Sequence, residues 1–158
     1  DYLIVRDTED GGGSPVDTIT LTADDDVTLY AAGYDADGNF RQDENATWTL
    51  SGSLDGSGSS GTSFTFSPSV APATGSILAT IGSVNDATGT ITVSPGALSS
   101  LLIRTESNNG GNQVTDFPMS TDDSQRFWSA GYDAEGNYRQ RCYLDTNTQM
   151  NHKGLSYH

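Results

Sequence analysis

Gly33-Tyr34-Asp35-Ala36-Asp37-Gly38-Asn39-Phe40 decides the reading of this chain, because it returns as Gly131-Tyr132-Asp133-Ala134-Glu135-Gly136-Asn137-Tyr138. Both copies run on into Arg-Gln, Arg41-Gln42 and Arg139-Gln140, and they stand 98 positions apart. A fixed period marks one folded unit used more than once. The match also extends upstream without a gap. Ile4-Val5-Arg6 answers to Leu102-Ile103-Arg104, Gly12-Gly13 to Gly110-Gly111, and Val16 to Val114. Asp24-Asp25 answers to Asp122-Asp123, and Leu29-Tyr30 to Phe127-Trp128. The repeat divides the chain into a complete unit over 1–98, the front part of a second over 99–140, and a divergent tail over 141–158.

Composition agrees with short strands and tight turns. Gly, Ser, Thr, Asp and Asn are abundant, and no stretch carries apolar residues at helical spacing. The chain of 158 residues has a formal net charge of −14, so its surface repels phosphate backbones and nucleic acid is excluded as a partner. No apolar run is long enough to span a bilayer as a helix, and Asp1 opens no charged-then-apolar leader. The expectation is a mature or internal stretch with no membrane insertion of its own. Cys142 is the only cysteine, which rules out an intrachain disulfide.

In chain order, Leu3 to Arg6 reads as a first strand and Asp7 to Pro15 as a glycine-rich loop. Thr18 to Thr22 alternates, with Ile19 and Leu21 on one face. Asp24-Asp25-Asp26 reads as a turn and Val27 to Tyr34 as a strand. Asp37-Gly38 suits the positive-φ positions of a hairpin turn. Ala46 to Leu50, the Phe64/Phe66 pair, Ile77 to Ile81 and the Ile91/Val93 pair complete about seven strands. Leu54 to Ser63 reads as a mobile Gly/Ser loop, and Val84 to Thr88 as a turn. The predicted core is Ile19, Leu21, Leu29, Ala31, Trp48, Leu50, Phe64, Phe66, Ile77, Ala79, Ile91 and Val93, with Trp48 at its centre. The predicted fold is all-β, an immunoglobulin-like antiparallel β-sandwich followed by a partial second copy.

The run Tyr30 to Asn39, then Ala46-Thr47-Trp48-Thr49, then Thr74-Gly75-Ser76-Ile77, then Ala87 to Val93 resembles the bacterial immunoglobulin-like (Big) domains. The resemblance covers the first unit and about forty residues of the second. It implies a β-sandwich that recurs in tandem in surface adhesins and large secreted proteins. It also implies an extracellular or cell-surface location and a spacer or adhesive role, and it brings no catalytic residues.

Residues 1–141 contain no His, Cys or Lys. This removes Ser/His and Cys/His nucleophile pairs, lysine Schiff bases and the usual zinc spacings from the complete unit. The remaining carboxylates sit in turns, where Asp belongs for local hydrogen bonding. The expectation is therefore a non-enzymatic protein with no catalytic, cofactor or metal residues. One cation alternative stays open. Asp35, Asp37 and Asn39 alternate oxygen ligands as a calcium loop does, and Asp133, Glu135 and Asn137 repeat the pattern. The same residues also make an ordinary hairpin turn, the favoured reading, and Asp24-Asp25-Asp26 is a second calcium candidate at a domain junction.

Tyr30 and Tyr34, with Trp128 and Tyr132 in the second copy, are expected to face away from the core. An outward aromatic row stacks on sugar rings or packs across strands. Asn45-Ala46-Thr47 is a glycosylation sequon. The tail carries Cys142, His152, Lys153 and His158 in a composition foreign to the rest; an intermolecular disulfide and a weak metal cluster are its readings. The functional expectation is a structural or adhesive spacer whose partners are neighbouring copies of the same domain. Two alternatives are a self-assembling filament subunit completed by strand donation from other subunits, and a carbohydrate-binding module for surface glycans.

Overall fold

The computed structural model describes residues 1–139. The expectations placed on Gln140, Cys142, His152, Lys153, His158 and the 141–158 tail lie outside the described residues. The described chain is all-β. Its strands are β1 (Tyr2–Arg6), β2 (Ile19–Thr22), β3 (Val27–Tyr34), β4 (Phe40–Asp43), β5 (Ala46–Leu50), β6 (Ser60–Gly61) and β7 (Ser63–Phe66). They continue with β8 (Ala73–Gly75), β9 (Ile77–Ile81), β10 (Val84–Ala87), β11 (Ile91–Ser94), β12 (Ser100–Arg104), β13 (Trp128–Tyr132) and β14 (Tyr138–Arg139). Among the described residues no helix is long and apolar enough to cross a membrane.

Strand β3 anchors the first sheet. Its front half pairs with β7 and its back half with β1 and β4. A second sheet runs β10-β9-β5-β6, and a third runs β2-β11-β8. Alternation along each strand aims the apolar side chains inward. In β5, Ala46 and Trp48 are buried while Thr47 and Thr49 are exposed; in β7, Phe64 and Phe66 are buried while Ser63 and Thr65 are not. Trp48 and Phe64 come from different sheets and stack with ring centroids 5.8 Å apart. The sheets are thereby layered in a sandwich-like arrangement. The Trp48 indole N–H donates to the Gly61 carbonyl at 3.0 Å, which removes the penalty of burying a polar tip. Leu29, Ile77, Ile91, Val5 and Val93 are as fully enclosed as Trp48. Each such side chain stabilises the fold by about 1.5–3 kcal/mol.

Most of the expected core is buried, with three shifts. Ile19, Leu21 and Leu50 are half-buried at its margin, whereas Leu3, Val5, Ala46 and Ala73 belong to its interior. Val84 to Ala87, expected as a turn, is strand β10 paired with β9. The misreading has a cause: Asp86 stands where an apolar residue is expected, and its carboxylate accepts the Val5 amide proton at 2.7 Å. It thus caps a backbone donor on β1, the edge strand of the first sheet. Strands β4, β6 and β8 are short and polar and left no hydrophobic alternation to read. The Leu54 to Ser63 loop therefore contains a strand, β6.

The antiparallel expectation has one exception. Strand β11 runs parallel to β2, with Ile91 opposite Ile19 and Val93 opposite Leu21. The chain crosses the whole unit between these strands, so no hairpin constrains their direction. Gly89 permits the approach, since a Cβ there would overlap the Asp17 carbonyl oxygen.

The fourth sheet, β12-β13-β14, repeats the strand order of β1-β3-β4 and the register of its first pair. Tyr2 opposite Tyr34 becomes Ser100 opposite Tyr132, and Arg6 opposite Tyr30 becomes Arg104 opposite Trp128. The isolated bridge Arg6 to Pro15 becomes Arg104 to Gln113. Asp10 and Gly11 hold positive φ, as do Asn108 and Asn109 at the matching positions. Burial does not repeat. Leu3 and Val5 are 5% and 1% exposed, whereas their counterparts Leu101 and Ile103 are 62% and 46% exposed.

Candidate functional site

The repeated turn and the junction beside it carry a connected set of polar contacts. In the first copy, the Asp35 amide donates to the Asn39 carbonyl at 3.0 Å and the Gly38 amide to the Asp35 carbonyl at 3.2 Å. Gly38 adopts φ +87°, and Gly136 takes the same value in the second copy. A side chain with a Cβ resists that conformation, which is why both turns carry glycine there. The Asp35 carboxylate accepts the Asp37 amide at 3.0 Å, the Asn39 amide at 2.8 Å and the Asn39 side-chain amide at 3.0 Å. The side-chain bond from Asn39, followed by its backbone bond, holds the Asp35 carboxyl below the usual aspartate range.

The second copy keeps the bonds between the aspartate and the asparagine and adds others. Asp133 accepts the Asn137 amide at 2.7 Å and the Asn137 side-chain amide at 2.9 Å. It also accepts the Gly96 amide at 2.8 Å, from the segment between β11 and β12. Asn137 donates to the Ser69 carbonyl at 3.0 Å and accepts the Ala71 amide at 2.9 Å. Asp24, from the turn of three aspartates, accepts the Ala97 amide at 2.5 Å. Two carboxylates from opposite sides thus grip adjacent amides, Gly96 and Ala97. Gly96 must be glycine for this, because a Cβ would meet the Asp24 carboxylate.

Asp133 is 2% exposed. Burial pushes its carboxyl up, but the bonds from Asn137 and Gly96 outweigh that effect and leave it below the ordinary value. Asp25 and its counterpart Asp123 serve their own loops. Asp25 accepts the Thr22 amide and hydroxyl at 2.7 and 2.8 Å, and Asp123 accepts the Ser120 amide at 2.8 Å. In the calcium candidates, then, Asp35 and Asp133 point their oxygens at N–H donors of the turns and the junction. Among the described residues no three His, Cys, Asp or Glu side chains gather as a metal site requires.

Of the four aromatics expected to face away from the core, Tyr34 is the one that is buried. Tyr34 lies on the face predicted, yet it is buried there. Tyr2 stacks on it at 5.2 Å, Phe40 meets its ring edge-on at 5.8 Å, and the Arg6 guanidinium covers it at 5.6 Å. A ring enclosed on these sides offers no platform to a sugar. Tyr30 and Trp128 are half-buried, and Tyr132 meets Tyr138 edge-on and contacts the Asn109 side chain. Asn45 of the sequon is exposed just ahead of β5.

Sequence reading divided the chain between residues 98 and 99 but missed Ser69, Ala71 and the grip on Gly96. The first two act through backbone atoms, which every residue type carries. A comparison with protein-family models, with curated proteins and with solved structures found no match to this chain.

Proposed function

We propose that this chain is a stretch of a tandem array of immunoglobulin-like β-sandwiches, non-enzymatic and extracytoplasmic, in which each unit is a stiff bead that extends a larger protein. The supporting observation is the junction. The Asp133 and Asn137 side chains bond to Gly96, Ser69 and Ala71, while Asp24 holds Ala97. A connection pinned at several points over residues 95–99 fixes orientation, whereas a bare linker of that length leaves its neighbours free to swivel. Backbone-amide relaxation by NMR tests this: residues 1–98 and 99–139 are expected to tumble as one body. The double variant Asp133→Ala, Asn137→Ala is expected to uncouple them. Independent tumbling in the unaltered chain would end the reading.

A filament reading is favoured by a different observation. Leu101 and Ile103 stay open to solvent among the described residues, on the strand whose counterpart in the first unit is sealed. A strand from a neighbouring molecule covers such a face by β-augmentation. Sedimentation velocity over a wide concentration range decides between them: species that grow with concentration favour the filament, and a constant monomer favours the spacer.

A further inference from the structure

The repeated turn occurs in two settings. Around Asp133 to Asn137 it is docked against residues of the first unit. Around Asp35 to Asn39 the matching aspartate–asparagine hydrogen bonds are formed, but Asn39 is exposed. Among the described residues its Oδ1 accepts no hydrogen bond, although the matching atom of Asn137 accepts the Ala71 amide.

The segment that carries the Gly96 amide directly precedes Ser99, the counterpart of Asp1. The segment that would reach Asp35 in the same manner is therefore one joined ahead of Asp1. The space beside the strand does not repeat: Glu44 Cγ stands 2.7 Å from a Cβ on Gly33, where Leu98 lies against Gly131.

We propose that the Asp35–Asn39 turn is a docking surface for the carboxyl-terminal end of another copy of the 1–98 unit, placed ahead of Asp1. Its Ser69 and Ala71 backbone would meet Asn39, and its Gly96 amide would meet Asp35. An untethered second molecule of the chain fits less well, because Asn137 and Asp133 already hold its own Ala71 and Gly96 amides. The inference rests on the array reading above and extends it to a specific surface.

The test joins one extra copy of residues 1–98 ahead of the full chain, isotope-labels that copy separately by protein ligation, and measures residual dipolar couplings for each unit. The added copy and residues 1–98 are expected to share one alignment frame. Asn39→Ala should separate the frames, while a frame still shared by residues 1–98 and 99–139 shows that the altered unit remains folded. Exchange protection of the added copy's Ala71 amide should fall roughly tenfold in Asn39→Ala, the scale of one such hydrogen bond. If the added copy moves independently while residues 1–98 and 99–139 share a frame, this proposal is overturned and the array reading stands. If neither pair shares a frame, both are overturned.

Discussion

Asp133 and Gly96 lie on opposite sides of the junction, and the carboxylate of one accepts the amide proton of the other across 2.8 Å in a buried setting. Asp133 descends from the repeated turn, whereas Gly96 follows the last strand of the preceding unit. The bond therefore ties the motif that recurs to the segment that links its recurrences. Removing the carboxylate strands a donor where water has little access.

Asp133→Ala is accordingly expected to lower the stability of the junction by about 1–3 kcal/mol, the penalty for a buried donor left unpaired. Hydrogen exchange at Gly96 should quicken. The core of the first unit, far from this bond, should keep its protection. Unchanged exchange at Gly96 would remove Asp133 from the account of the junction.

The same residue sets a pH dependence. The folded Asp133 pKa lies below the unfolded one, so its contribution is complete above the ordinary value of about 3.9. It is lost as pH falls through the lower folded pKa. The Gly96 amide resonance should hold steady near neutrality and shift only in that acid range. In Asp133→Asn this transition should vanish. A junction that tightens on acidification would contradict the assignment.

Trp48→Ala is expected to destabilise the first unit by about 3–5 kcal/mol, since a fully enclosed indole leaves a cavity against Phe64. Urea unfolding followed by circular dichroism measures it. In the unaltered chain, emission from Trp48 should be blue-shifted relative to that from half-buried Trp128. A loss near zero would mean that the two sheets are not held together at this contact.

Gly89→Ala tests the parallel pairing of β2 with β11. A Cβ there collides with the backbone of Asp17, and neither chain can yield without parting Ile91 from Ile19. The expected loss is about 3 kcal/mol, at the upper end of overpacking effects. The neighbouring exposed residue gives the control, with Thr90→Ala staying within about 0.5 kcal/mol. Equal effects for the two variants would argue against the close approach.

Burial of Trp48, Leu29, Phe64, Phe66, Ile77, Ile91 and Val93 was legible in advance because strands alternate their side chains, and a sequence records alternation directly. The Asp-Gly and Glu-Gly turns were legible because few residues tolerate the positive φ found at Gly38 and Gly136. What stayed hidden follows from interactions between distant segments. Strand β10 was obscured by Asp86, which faces inward because the Val5 amide needs a partner. Tyr34 was placed on the correct face, but only the approach of Tyr2, Phe40 and Arg6 determines that it is covered.

The sequence by itself determined an all-β chain with a motif used twice, because turn chemistry and strand periodicity are local properties of neighbouring residues. Only the tertiary structure decided that the second motif is docked and the first is open. That difference depends on the backbone amides of Gly96 and Ala71 and the carbonyl of Ser69, groups that every sequence contains and that acquire a role only when folding brings a particular carboxylate or carboxamide beside them.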